Sequence, residues 1–163
     1  MKKVSLLLIA VAAALLVGCG SKRSQAYYDQ PSQVLSANYD GSYVIRTTVR
    51  SRNAGLAFTD AQRKAVQEVI FDGVKAGSNG IQDLKPLCFD LNAREKYEDY
   101  FQTFFQLEGD WRQYVDLTQK RAGSTRYQRT TAQMVQTVTV TVHRAALKQR
   151  LQADGIIPVE GRY

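Results

Sequence analysis

The apolar positions of this chain fall first into one unbroken run and then into periodic sets. Val4 to Val17 is an apolar segment of about fourteen residues, rich in Leu and Ala and preceded by Lys2 and Lys3. A bilayer-spanning helix needs about twenty such residues, so the run is too short to cross. A charged start, a short apolar core and a small residue behind it describe a secretory signal peptide, with a buried helix as the plainer alternative. Residues 20–41 are polar, with Pro31 and Gly41, and read as a flexible tether carrying Tyr27, Tyr28 and Tyr39.

At Ser42 the pattern changes to a period of two. Tyr43, Ile45, Thr47 and Val49 share one face of a strand and Arg46, Thr48 and Arg50 the other, with Val44 breaking the polar side. Asn53-Ala54-Gly55 turns the chain. Thr59, with Gln62 three residues on, reads as a capping box. Behind it Ala61, Ala65, Val66, Val69, Ile70 and Val74 recur at helical spacing, and Gly77 stands where the helix should end. Small Ala residues on that stripe suit a helix lying close on a sheet.

Residues 78–91 read as loop, with a short extended piece at Lys85 to Phe89. Asn92 and Glu95 suggest a second helix, on which Tyr97, Tyr100, Phe101, Phe104 and Phe105 form a single aromatic stripe, ending at Gly109. Five aromatics in a row could serve a ligand or partner groove, but at this spacing a core face is the better reading. Trp111 to Thr118 fits either a short strand or a last helical turn. Gln119 to Thr130 is a basic, polar stretch, a long hairpin arm or a surface loop. Thr131 to Val142 is the clearest strand, with a Val face for the helices and a Thr face that is wet or lines a groove. A last helix runs from about Arg144 to Asp154, with Gly155 at its end and Ile156-Ile157 folding back. The expected fold is α+β: a small antiparallel sheet of three to four strands, covered on one face by two to three helices.

Charge and cysteine content narrow the chemistry. Residues 1–18 hold two of the 22 Lys and Arg and none of the 15 acids, so the chain without them carries +5. The remaining residues, about 145, suit one domain with a proper core, expected over 42–163. The cations are scattered, which argues against nucleic acid as partner and for lipid headgroups or acidic glycans. The densest group is Lys120, Arg121, Arg126 and Arg129, four cations without an acid among them and the candidate binding surface for a phosphate or acidic glycan; a solvated loop is the bland reading.

Enzyme signatures are absent, and no cofactor or metal site is expected. His143 is the one histidine, at a strand-to-helix junction, and would have to carry a triad or a His-rich site alone. Glu95, Glu98 and Asp99 read as the solvent face of a helix, and glycines stand singly rather than in a phosphate loop. Cys88 has no Cys or His beside it and reads as a buried core residue.

Leu16-Val17-Gly18-Cys19 resembles the lipobox of bacterial lipoproteins. That resemblance implies cleavage before Cys19, diacylglycerol on its sulfur and a further acyl chain on the new amino group. Residues 1–18 then become a signal peptide and 19–41 a lipidated cysteine with its tether. Gly20 rather than Asp after the cysteine implies transport to the outer membrane. One acyl chain holds marginally and two or three hold firmly, each buried methylene contributing about 0.8 kcal/mol. Beyond the lipobox, the strand from Tyr43 to Arg50, the Ala61/Ala65 helix, the Val/Thr strand and the Leu147, Leu151, Gly155-Ile156 helix are similar in layout to Lpp20-like and flagellar-T N-terminal lipoprotein domains. The stretch from Lys85 to Tyr127 departs from that layout. The resemblance implies a membrane-anchored envelope component that scaffolds other envelope proteins and is open to homo-oligomerisation. The alternative is a binding module for a glycan or small ligand.

Overall fold

A computed structural model describes residues 31–51, 54–77, 80–127 and 134–159. Strand β1 (Gln33–Ala37) turns through Asn38–Gly41 into β2 (Tyr43–Ser51). The turn closes by Gly41 N–H to Asn38 O at 3.1 Å and by the Asp40 carboxylate accepting from both the Ser42 N–H at 2.9 Å and the Ser42 hydroxyl at 2.6 Å. Helix α1 (Ala54–Phe71) follows, then the two-residue strand β3 (Lys75–Ala76), short helices α2 (Ala93–Lys96) and α3 (Glu98–Phe104), and a 3-10 turn (Asp110–Tyr114). Strands β4 (Val115–Tyr127) and β5 (Met134–Val142) form a hairpin, and helix α4 (Arg144–Ala153) completes the order.

The strands form one sheet in the order β3-β1-β2-β5-β4. β2 and β5 pair without a break from Tyr43↔Val142 to Ser51↔Met134, which puts Ile45, Thr47 and Val49 beside Val138 and Val140 on one face. These side chains are buried, and Ala57, Ala61, Ala65, Val66, Val69 and Ile70 of α1 meet them in a single core. Three alanines with no exposed surface let the helix axis approach the sheet, as the stripe predicts. Phe101, Phe104, Trp111, Leu147 and Leu151 extend the same core toward the end of the sheet where β4 begins. The class is therefore α+β, but the sheet is mixed and five-stranded rather than antiparallel with three or four: β3 runs parallel to β1. The described residues hold four α-helices rather than two or three.

Several boundaries differ from the sequence reading, each for a physical reason. β1 lies within the stretch expected to be tether. Val34 is fully buried against Ile45, and the Ser32 hydroxyl donates to Thr47 Oγ1 at 2.7 Å, so the folded part starts by Ser32 rather than Ser42. Thr59 sits inside α1 instead of capping it, because Ala57 is already buried on the stripe one turn earlier. α1 stops at Phe71, not near Gly77. Gly73, at φ +74°, turns its N–H back to Glu68 O at 2.7 Å, and Val74 leaves the helix to bridge Leu84. The second helix is broken at Tyr97 (φ −118°), although Phe101 N–H still bonds Tyr97 O at 3.0 Å and the aromatic stripe runs on. Trp111 to Thr118 is both alternatives in turn, a 3-10 turn and then strand. The basic stretch is strand through Tyr127, the hairpin alternative. α4 and the cap at Gly155, φ +72°, match the sequence reading.

Candidate functional site

Three of the four cations expected to form a surface lie on β4. Lys120 and Arg121 fall between the pairs Gln119↔Thr139 and Gly123↔Thr137, where four steps of β4 oppose two of β5, and Arg126 pairs with Val135. Arg129 lies outside the described residues, as do Cys19 and the lipobox. β4 is the last strand in the sheet order, so its far edge is unpaired among the described strands. Cations and bulges at an edge oppose pairing with another strand.

The outer face of the sheet, away from α1, carries the Thr rows. Thr48 and Thr137 hydroxyls meet at 3.1 Å and Thr118 and Thr141 at 2.5 Å. Arg46 and Arg50 stand on the same face of β2 and make no ion pair among the described residues. His143 Nε2 lies 2.8 Å from Asp116 Oδ2, so the single imidazole is engaged by a neighbouring carboxylate at the sheet edge. Among the described residues no group of His, Cys, Asp and Glu is arranged to hold a metal.

On the helical side, α3, the 3-10 turn and α4 enclose an open cleft of about 570 Å³ lined by Asp99, Tyr100, Thr103, Phe104, Glu108, Asp110 and Arg150. Its floor is aromatic: Tyr100 stacks on Phe104 at 5.7 Å between centroids, and Phe104 on Tyr114 at 6.2 Å. The aromatic stripe thus serves the core through Phe101 and Phe104 and meets the cleft through Tyr100 and Phe104. Arg150 reaches Asp154 with Nε at 2.6 Å and Asp110 with Nη2 at 3.1 Å, and the Tyr100 hydroxyl donates to Asp154 at 2.6 Å. Partial burial pushes the Tyr100 phenol well up from its ordinary range, and its bond to the Asp154 carboxylate adds to that. For Asp154 desolvation opposes ionisation. The bonds from Tyr100 and Arg150 and the Arg150 charge outweigh it, so its carboxyl titrates below the ordinary range.

Arg150 and Asp154 stand i, i+4 on one helix, a spacing readable from sequence. The third partner, Asp110, lies 40 positions away and gives no such signal. Cys88 is buried, and burial followed by the nearby Asp90 raises its thiol above the ordinary value, which suits a core residue and not a nucleophile. No described helix is long and apolar enough to cross a membrane. No protein-family model, curated protein or solved structure matches the chain.

Proposed function

We propose that this chain is a lipid-anchored protein of the bacterial envelope, held at the outer membrane through Cys19, and that its α+β domain scaffolds other envelope proteins without catalysis.

 The observation that carries the reading is the order of the N-terminal sequence: Lys2-Lys3, the apolar run Val4 to Val17, then Leu16-Val17-Gly18-Cys19. Support comes from the short reach behind it. Between Cys19 and the first sheet strand at Gln33 lie thirteen residues, which extend to about 45 Å at most and keep the domain beside its anchor.

A second reading, a binding module for a glycan or small ligand, is favoured by the cleft of about 570 Å³ with its aromatic floor and convergent polar groups. In-cell crosslinking of the wild-type protein and of Cys19→Ala, read by mass spectrometry after membrane fractionation, separates the two. The scaffold reading expects discrete protein partners that disappear with Cys19→Ala. A membrane-bound protein that crosslinks to nothing counts against it and for the ligand-binding module.

A further inference from the structure

The charges of this fold are unevenly layered. Strands β2, β4 and β5 together carry five cations and one acid, whereas residues 54–114 and 143–159, the helical layer with β3, carry ten cations and eleven acids. Many helical-layer cations are spent on acids, as in Lys75–Asp83, Arg94–Asp72 and Arg112–Glu108 at 2.7–2.8 Å. On the outer sheet face Arg46 and Arg50 have no such partner among the described residues, and Asp116 is engaged by His143. Between and beside the two arginines lie short hydroxyl side chains, Thr48, Thr137 and Thr139, which keep that part of the face polar.

From this layering we infer that the outer face of the sheet lies against the anionic headgroups of the membrane that holds the chain, with the helical layer and its cleft turned away. The inference rests on the anchoring reading above. The centre of a protein–protein interface is built on aromatic and apolar anchors, and the stretch of sheet face from Arg46 through Thr48 to Arg50 offers none. Two arginines with hydroxyls between them match phosphate oxygens instead, since guanidinium groups bind phosphate through two hydrogen bonds and each basic residue near an anionic bilayer strengthens binding about fivefold. A tether of thirteen residues reaches far enough for either layer to touch the bilayer, so charge decides which one does.

The test uses the lipidated full chain reconstituted into phosphatidylcholine vesicles with or without phosphatidylglycerol. A single reporter thiol is introduced by Thr139→Cys on the sheet face or by Thr103→Cys on the exposed side of α3, and its reaction with a charged, membrane-impermeant maleimide is timed. The expected result is a several-fold slower reaction for Thr139→Cys in phosphatidylglycerol vesicles only, with Thr103→Cys unchanged. Arg46→Ala and Arg50→Ala should each weaken the protective contact about fivefold, as should raised salt in kind. Equal rates for Thr139→Cys in both lipids, protection that is the same with or without phosphatidylglycerol, or protection of Thr103→Cys instead would each overturn the inference. Flotation of Cys19→Ala is read in parallel: if it floats as the wild type does, the anchoring reading fails, whatever the two reporter thiols show.

Discussion

The Tyr100 hydroxyl donates to Asp154 Oδ2 at 2.6 Å, joining α3 to the end of α4 across 54 positions of sequence. Arg150 binds the same carboxylate oxygen at 2.6 Å and carries the link on to Asp110. The cleft therefore has a wall fixed by three hydrogen bonds, not by loop packing alone. Tyr100→Phe should lower stability at neutral pH by about 1 kcal/mol. The pH dependence follows from the carboxyl. Asp154 titrates below its ordinary value of 3.8 when folded, so the unfolded chain binds more protons in that window. Its contribution is complete above the unfolded value and is lost as pH falls through the folded one. Urea unfolding at neutral pH and near pH 3 should show the difference between wild type and Tyr100→Phe shrinking on acidification; a difference that grows would contradict this assignment.

Removal of β1 tests where the domain begins. A chain lacking residues 20–41 keeps every residue from Ser42 on but loses the burial of Val34 and the Ser32–Thr47 hydrogen bond. Burying one Val contributes about 1.5–3 kcal/mol and an orphaned buried hydroxyl costs about 1–3 kcal/mol. Such a chain should unfold at clearly lower denaturant than the full chain. A midpoint equal to that of the full chain would show that the stretch before Ser42 is dispensable to the fold.

Two glycines with the same backbone sign should respond differently to alanine. Gly73, φ +74°, has Leu84 O 2.6 Å and Pro86 Cδ 3.1 Å from where a Cβ would stand, while Gly155, φ +72°, has open space there. Left-handed backbone alone costs a non-glycine residue about 1–2 kcal/mol. Gly155→Ala should therefore cost about that much, and Gly73→Ala should cost more because the Val74–Leu84 bridge must shift. Thermal melts of the two variants give the comparison, and equal losses would contradict the close approach.

In the core, Leu147 is fully buried, and Leu147→Ala should cost about 2–5 kcal/mol by chemical denaturation. Cys88, 5% exposed, should react with thiol reagents only as the chain opens, so its labelling rate should rise with denaturant in step with unfolding. Rapid labelling in native buffer would place the thiol at the surface.

The sheet's central pair was legible because both strands alternate with a period of two, and Val138, Val140 and Val142 name their own buried face. α1 was legible for the same reason through Ala61, Ala65 and Val69. β1 was not: QVLSA is five residues long with a bulge between Val34 and Ser36, so its alternation is too short and too irregular to stand out from a polar segment. β3 has two residues and exists only through its pairing with β1. The ends of α1 differ from the sequence reading because Thr59 and Gly77 have the right chemistry at the wrong places, and burial of Ala57 and the positive φ of Gly73 decide instead. Lys120, Arg121 and Arg126 stand on a strand, the hairpin-arm alternative of the sequence, but nothing local marks the bulges of that strand. The aromatic stripe marks one side of the cleft in the sequence, but its polar side does not show there, because Asp110 and Arg150 converge beside Tyr100 only in the fold.

The most direct test of the account is the mass of the N-terminal peptide from protein isolated out of cell membranes. The account predicts a mature chain that begins at Cys19, with the added mass of two or three acyl chains on that residue. A chain that begins at Met1, or one cut elsewhere with an unmodified Cys19 thiol, would contradict it.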